Sequence, residues 1–199
     1  MSAHTPTGHG EPTRSTPPKR ADARRNYERI VEVAHEVFSE RGPEAPLDDI
    51  ARRAGVGPGT LYRHFPNREA LMEAVYRDLV EELWQESLHL SRSHAPDDAL
   101  AAWLRAEVGF VMANRGLSTA LKAAIGLSSP VFAECKQMMH DAVDAVLRPA
   151  QRAGVARNDI ETRDLLMMAH GIGIACEMTP DAADRLIAVT LDGLRPPNP

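Results

Sequence analysis

Aromatic residues make up only 5% of this 199-residue chain, and there are two cysteines and three lysines. No run approaches the roughly 18 apolar residues that a membrane span requires. No apolar stretch follows the start, MSAHTPTGHGEPTRSTPPKR, where a secretory leader would carry one. Cys135 and Cys176 are too few for a disulfide framework and fit a reducing compartment. Strand-like alternation is missing, which leaves an all-α fold. Enzymatic signatures are missing too. There is no Gly-rich phosphate loop after a strand, no nucleophile elbow, and no carboxylate pair spaced for acid–base work. VGPGTLY holds two glycines but follows a helix and lacks the phosphate-binding lysine. Cys135 and His140 lie five apart with no evident third and fourth ligands, and His4 and His9 are isolated. The expectation is a cytoplasmic protein that is not an enzyme, with no metal, no cofactor and no membrane partner.

Apolar residues make up 43% of the chain, enough for a core. The segment LDDIARRAGVGPGTLYRHF, residues 47–65, reads as two short helices around a tight turn. Ile50, Ala51 and Ala54 share one side of the first helix. Small Ala51 lets a second helix cross closely. Gly55 stands where the first helix must stop and the left-handed conformation is needed. Val56 plugs the turn. Pro58 suits the first turn of the next helix, where its missing N–H costs nothing. Leu61 and Phe65, four apart, pack inward together. Gly59, Thr60, Tyr62, Arg63 and His64 are left on exposed or flanking positions. This is a helix-turn-helix, whose second helix can enter a DNA major groove. Arg63 can read a guanine or pair with a phosphate, and Thr60, Tyr62 and His64 can donate to phosphate oxygens. A purely structural αα-hairpin would usually turn Glu and Lys outward there.

The net charge of −5 is unevenly spread. Residues 1–66 hold 10 Lys/Arg and 9 Asp/Glu, a net of +1, so the remainder carries −6. The stretch 14–29 concentrates Arg14, Lys19, Arg20, Arg24, Arg25 and Arg29 against Asp22 and Glu28. An acidic protein can still offer a local basic face. Residues 1–22 read as a disordered arm with a basic end, and Arg24 and Arg25 as candidate DNA contacts at its edge.

The run DDIARRAGVGPGTLYRHFPNREALMEAVYRD resembles the DNA-binding domain of the tetracycline-repressor (TetR) family. The combination of IA..AGV, G.LY.HF and an Asn-Arg pair before a leucine, after a long first helix, carries the likeness. The resemblance implies an all-α, homodimeric transcriptional regulator, usually a repressor released from a double-stranded DNA operator by a small-molecule effector. It makes Thr60, Tyr62, Arg63 and His64 recognition-helix contacts and puts Asn67 and Arg68 near the DNA backbone. The family commonly has Thr or Ser before the helix holding Ile50. Pro46 stands there instead and has no hydroxyl, which leaves Asp48 and Asp49 to favour that helix start.

The expected organisation is an arm at 1–22, a three-helix DNA-binding domain at 23–66, a C-terminal helical regulatory and dimerisation domain at 67–195, and a tail at 196–199. The first helix is expected over about 24–41, with Ile30, Ala34, Val37 and Phe38 inward. A long helix over about 67–92 carries Leu71, Val75, Leu79 and Leu83. Further helices are expected near 97–114, 117–126, 129–153, 161–178 and 180–194, with an interruption at Pro149. The last two are dimerisation candidates. Leu165, Leu166, Ala169, Ile172 and Cys176 line one, with Gly171 and Gly173 permitting close approach. Leu186, Val189, Thr190 and Leu194 line the other. Two such helices from each subunit can form a four-helix bundle, although an intrachain core would show the same pattern.

For an effector pocket, large flexible apolar side chains among the middle helices are the candidates. They are Trp84, Leu88, Trp103 and Phe110, then Met112, Leu121, Met138, Met139 and Met167. Each taken singly fits core packing better than a pocket. His89, His140, His170 and Glu177 are possible polar anchors. Two alternatives stay open: a DNA-binding dimer without a small-molecule ligand, and a thiol-based redox-responsive regulator using Cys135 or Cys176.

Overall fold

Helix starts and stops are written into this chain residue by residue, and the fold follows them. The computed structural model describes residues 19–176 and 178–196. Most of the arm expected at 1–22, Glu177 and most of the tail lie outside the described residues. Among the described residues there are eight α-helices and one 3₁₀ turn, with no strand. They are α1 (Lys19–Arg41), α2 (Leu47–Arg53), α3 (Pro58–His64), α4 (Arg68–Ser93), α5 (Pro96–Ile125), α6 (Pro130–Arg152), α7 (Thr162–Ala175), the 3₁₀ turn Pro180–Ala182 and α8 (Ala183–Leu194). Pro58, Pro96 and Pro130 each occupy a first turn. Asn67 caps α4 by accepting from the Ala70 amide at 2.8 Å, and Glu161 with Asp164 forms a capping box on α7.

Two expectations about boundaries are corrected. α1 begins at Lys19, so residues 19–22 belong to a helix rather than to the arm. The break expected at Asn114-Arg115-Gly116 does not exist; α5 runs unbroken for 30 residues. Its buried stripe of Val108, Val111, Leu117 and Leu121 spans that point, and packing outweighs the ~1 kcal/mol propensity cost of one glycine. α6 runs from Pro130 to Arg152 with Pro149 inside it, close to the expected 129–153.

Two large apolar clusters hold the helices. The first gathers Ile30, Ala34, Val37 and Phe38 from α1 with Ile50, Ala51, Leu61 and Phe65, then Leu71 and Val75 from α4. It also takes in Leu117 and Leu121 from α5 and Phe132 from α6. The second joins α4 through α8 and is centred on Trp103, Leu104, Val143, Leu147 and Leu165. A small cluster of Val80, Val131 and Cys135 lies between them, flanked by Tyr76, Phe110, Met138 and Met139.

At Gly173 the α7 backbone comes down directly on α5. A Cβ at Gly173 would stand 2.6 Å from Val111 Cβ and 3.2 Å from the Val108 carbonyl oxygen. The close approach that Gly173 permits is therefore within the chain and not across a dimer interface. Gly171 has open space around it. Gly173→Ala should push α7 off α5 and lower stability by about 1–3 kcal/mol in urea unfolding. An unchanged midpoint would mean that α7 shifts without cost.

Candidate functional site

The turn between α2 and α3 closes through backbone bonds alone. Gly55 has φ +66°, the Gly55 amide donates to the Arg52 carbonyl at 3.2 Å, and the Val56 amide donates to Ala51 at 3.0 Å. This is a Schellman stop, and half-buried Val56 packs onto the cluster that holds Ala51. α3 is pinned from below by Leu61 and Phe65, both nearly fully buried. Phe65 meets Tyr27 of α1 with ring centroids 5.0 Å apart. The outer side of α3 is left to Gly59, Thr60, Tyr62 and Arg63. Tyr62 is 46% exposed. Arg63 has only a 3.5 Å contact to the Thr60 hydroxyl, so its guanidinium is free to take another partner.

The other expected DNA contacts are differently placed. Arg24 and Arg25 lie exposed on α1, paired with Glu28 and Asp22 within the helix. Exposed pairs of this kind hold a cation only weakly. His64 is half-buried and turns its ring edge towards Tyr27. Asn67 spends its carbonyl on the α4 cap. Arg68 is committed elsewhere: it donates to the carbonyls of Pro43 and Ala45, each at 2.6 Å, and clamps the α1–α2 connection onto α4. At α2, Pro46 makes no side-chain cap, and Asp49 instead pairs with Arg41 at 2.9 Å and Arg52 at 2.7 Å.

Behind this region lies a cavity of about 770 Å³, bounded by α4, α5, α6 and α7. Its α5 wall is a stripe at helical spacing: Glu107, Val111, Asn114, Ser118 and Lys122. Tyr76 contributes from α4, Lys136, Met139 and His140 from α6. Arg163, Leu166, Met167, His170 and Ile174 close it from α7. Glu107 is 2% exposed, and its Oε2 has no hydrogen-bond partner. Burial pushes its carboxyl up to about 8, so it is protonated near neutral pH. Asn114 and Ser118 donate only to backbone carbonyls of their own helix, Phe110 and Arg115. Desolvation on the cavity wall, reinforced by Lys122, lowers the His170 pKa.

Of the residues expected around an effector, Phe110, Met139 and Met167 border this cavity, as do His140 and His170. Trp84, Leu88, Trp103, Met112, Leu121 and Met138 do not, nor does His89. Trp103 is fully buried in the second cluster, and Leu121 is fully buried in the first. Met138 packs on Val80, Val131 and Cys135, and Met112 on the second cluster. Trp84 and Leu88 are half-buried farther along α4. The sequence reading missed Glu107, Asn114, Ser118 and Lys122. Their 4-3-4-4 rhythm with Val111, polar where a buried helix face should be apolar, was the available signal. The expected dimer residues divide as well. Leu165, Ala169 and Cys176 are buried inside the chain and Ile172 packs on the same cluster, so this row faces α5 and not a partner. Leu186 and Val189 are 39% and 69% exposed, and Thr190 turns its hydroxyl back to the Leu186 carbonyl.

Cys135 is 2% exposed and burial pushes its thiol up to about 11, the opposite of what a reactive thiolate needs. Among the described residues no three His, Cys, Asp or Glu gather as a metal set, and no helix is long and apolar enough to cross a membrane.

A short helix-turn-helix with a free outer face, carried on a helical body with a cavity, defines a DNA-binding transcriptional regulator. Comparison with known proteins refines this. Residues 30–75 match the family of bacterial regulatory proteins of the tetR type, and residues 95–196 match the C-terminal domain of SbtR-like transcriptional regulators. A TetR transcriptional regulator from Streptomyces coelicolor is 38% identical, with a TM-score of 0.75 over 86% of this chain and 99% of that one. A TetR regulatory protein from Mycobacterium vanbaalenii is 34% identical, with a TM-score of 0.74 over 90% of this chain and all of that one. An HTH-type transcriptional regulator of Staphylococcus aureus is 45% identical over 62 residues, 30% of this chain. The chain spans about a third (34%) of the length of that curated relative. The chain belongs to the TetR family of transcriptional regulators.

The Glu107 carboxyl gives a stability test. Its pKa is raised in the fold, so between about 4.5 and 8 the folded protein holds a proton that the unfolded chain has released. Stability should therefore fall as pH rises through that window, by up to about 1.4 kcal/mol per pH unit. Glu107→Gln should remove this slope, gaining on the parent between pH 5 and pH 8 in urea unfolding. Parallel pH profiles for the two proteins would show that the carboxyl ionises normally.

Proposed function

We propose that the chain is a homodimeric repressor, released from a palindromic operator when a small molecule enters the cavity behind its DNA-binding head. The observation that carries this reading is Tyr76. Its ring borders the cavity, lies 6.4 Å from Phe110 and 5.6 Å from Phe132 by centroids, and packs against the cluster that holds the head. Leu71 and Val75, on the same helix, are fully buried in that cluster. A molecule that displaces Tyr76 has to move α4, and α4 carries the head. Two heads in a dimer meet successive major grooves about 34 Å apart, so a small change in their separation mismatches both at once.

The DNA contacts in this reading are Gly59, Thr60, Tyr62 and Arg63, with Asn67, His64, Arg24 and Arg25 at the flanks. Gly59 has nothing within 4 Å of the place a Cβ would take, so its exposed backbone can approach a groove. The dimer contact is assigned to the outer side of α8. Leu186, Val189, Thr190 and Gly193 recur there at helical spacing, and Met178 just before it is 87% exposed. Such a regulator works where the DNA is, in the cytoplasm.

The test is gel-shift binding to the DNA just upstream of the chain's own gene, at several salt concentrations. A two-fold site should bind with a steep salt dependence and resist competitor DNA. Arg63→Ala should cost at least about tenfold in specific affinity while the protein still sediments as a dimer; loss of the dimer would make Arg63 structural. Val189→Asp should give monomers and lose operator binding. A Val189→Asp protein that stays dimeric would move the interface away from α8.

A further inference from the structure

The chemistry of the cavity wall restricts what it can take. Glu107 is the sole carboxylate among the described residues that border it. Against it stand Arg115 and Lys122 of α5, Lys136 of α6 and Arg163 of α7. Lys122, Lys136 and Arg163 have no ion-pair partner among the described residues. Lys136 and Arg163 are exposed and Lys122 is half-buried, so the positive charge collects at the rim. Glu107 is the opposite: deeply buried, with an oxygen that no protein group satisfies. An unpaired buried polar atom is costly, and it persists where a ligand supplies the missing bond. Between the two ends the wall sets apolar Phe110, Val111, Met139 and Leu166 beside the polar side chains of Asn114, Ser118 and Thr119. Glu107 and Lys122 are 15 residues apart on the same helix, about 22 Å at helical rise.

Resting on the reading of this cavity as an effector site, we propose that the effector is an elongated amphipathic anion. Its carboxylate or similar group sits with the rim cations, its apolar body lies along Phe110, Met139 and Leu166, and a hydroxyl or carbonyl oxygen at its other end bonds the Glu107 carboxyl. A cationic ligand is disfavoured because it meets like charges on the cavity wall. A wholly apolar one leaves Glu107 unsatisfied.

Direct binding to the full chain, measured by calorimetry, separates these cases with three probes of one length: dodecanoate, 12-hydroxydodecanoate and dodecylamine. The acids should bind at least about tenfold more tightly than the amine. The hydroxy acid should exceed dodecanoate by about threefold to tenfold, the worth of one neutral hydrogen bond. Lys122→Gln with Lys136→Gln should weaken both acids by about tenfold. Glu107→Leu should erase the preference for the hydroxy acid. Glu107→Gln, a neutral group of the same shape, should keep it, and serves if the leucine variant fails to fold. An amine that binds as well as the acids, acids that do not bind, or a hydroxyl preference indifferent to Glu107 would each overturn the proposal. The gel shift then tests the other reading separately. An acid that binds as expected yet leaves the operator complex intact would overturn effector release while the ligand class stands.

Discussion

The head of this protein cannot close its own core. α2 and α3 have seven residues each, and together with α1 they are too small to bury a self-sufficient cluster. They complete it with Leu71 and Val75 from α4 and with Leu117, Leu121 and Phe132 from the body. This shared core is the constraint on which the remaining structure depends. It makes α4 a structural member of both halves. It also places the junction of α5 and α6, which forms one end of the cavity walls, in contact with the support of the head. In the proposed mechanism, coupling between cavity and head would need no separate pathway, because the same side chains support both.

The arrangement explains why the connection between α1 and α2 is so firmly tied. Arg68 holds two carbonyls of that connection, and Arg41 and Arg53 reach Asp49 and Glu40 across it. The two exposed pairs add little individually. Arg68 is partly buried and holds otherwise unpaired carbonyls, where a charge-assisted bond counts for more. Together these bonds tie α1, α2 and the start of α4 to one another.

Much of the head was legible in the sequence because its signals are local. Gly55, Val56 and Pro58 each specify a backbone state within a few residues, and Leu61 and Phe65 have one inward direction to take. The body was less legible because its decisions are made by packing over long distances. The 30-residue α5 crosses a stretch that reads as a break, since the cost of Gly116 is small beside the buried stripe on either side. Trp103 and Leu121 look like pocket residues by type, but large apolar side chains are what a core consumes first. The cavity is marked instead by polar residues on a face that packing should have made apolar. Leu165, Ala169 and Cys176 form a row that fits a partner helix, and the row could not say whether that helix belonged to the same chain. The structure assigns it to α5.

The contact at Gly173 has a consequence for how such a protein diversifies. Because the α7 backbone rests at Gly173 against the Val111 side chain and the Val108 carbonyl, any larger residue at position 173 would force these two helices apart. A lineage adapting this scaffold to a new molecule would find that wall rigid. Variation would accumulate across from it, on α6 at positions such as Lys136, Met139 and His140, and leave the α5–α7 seam as the fixed frame against which new specificities are cut.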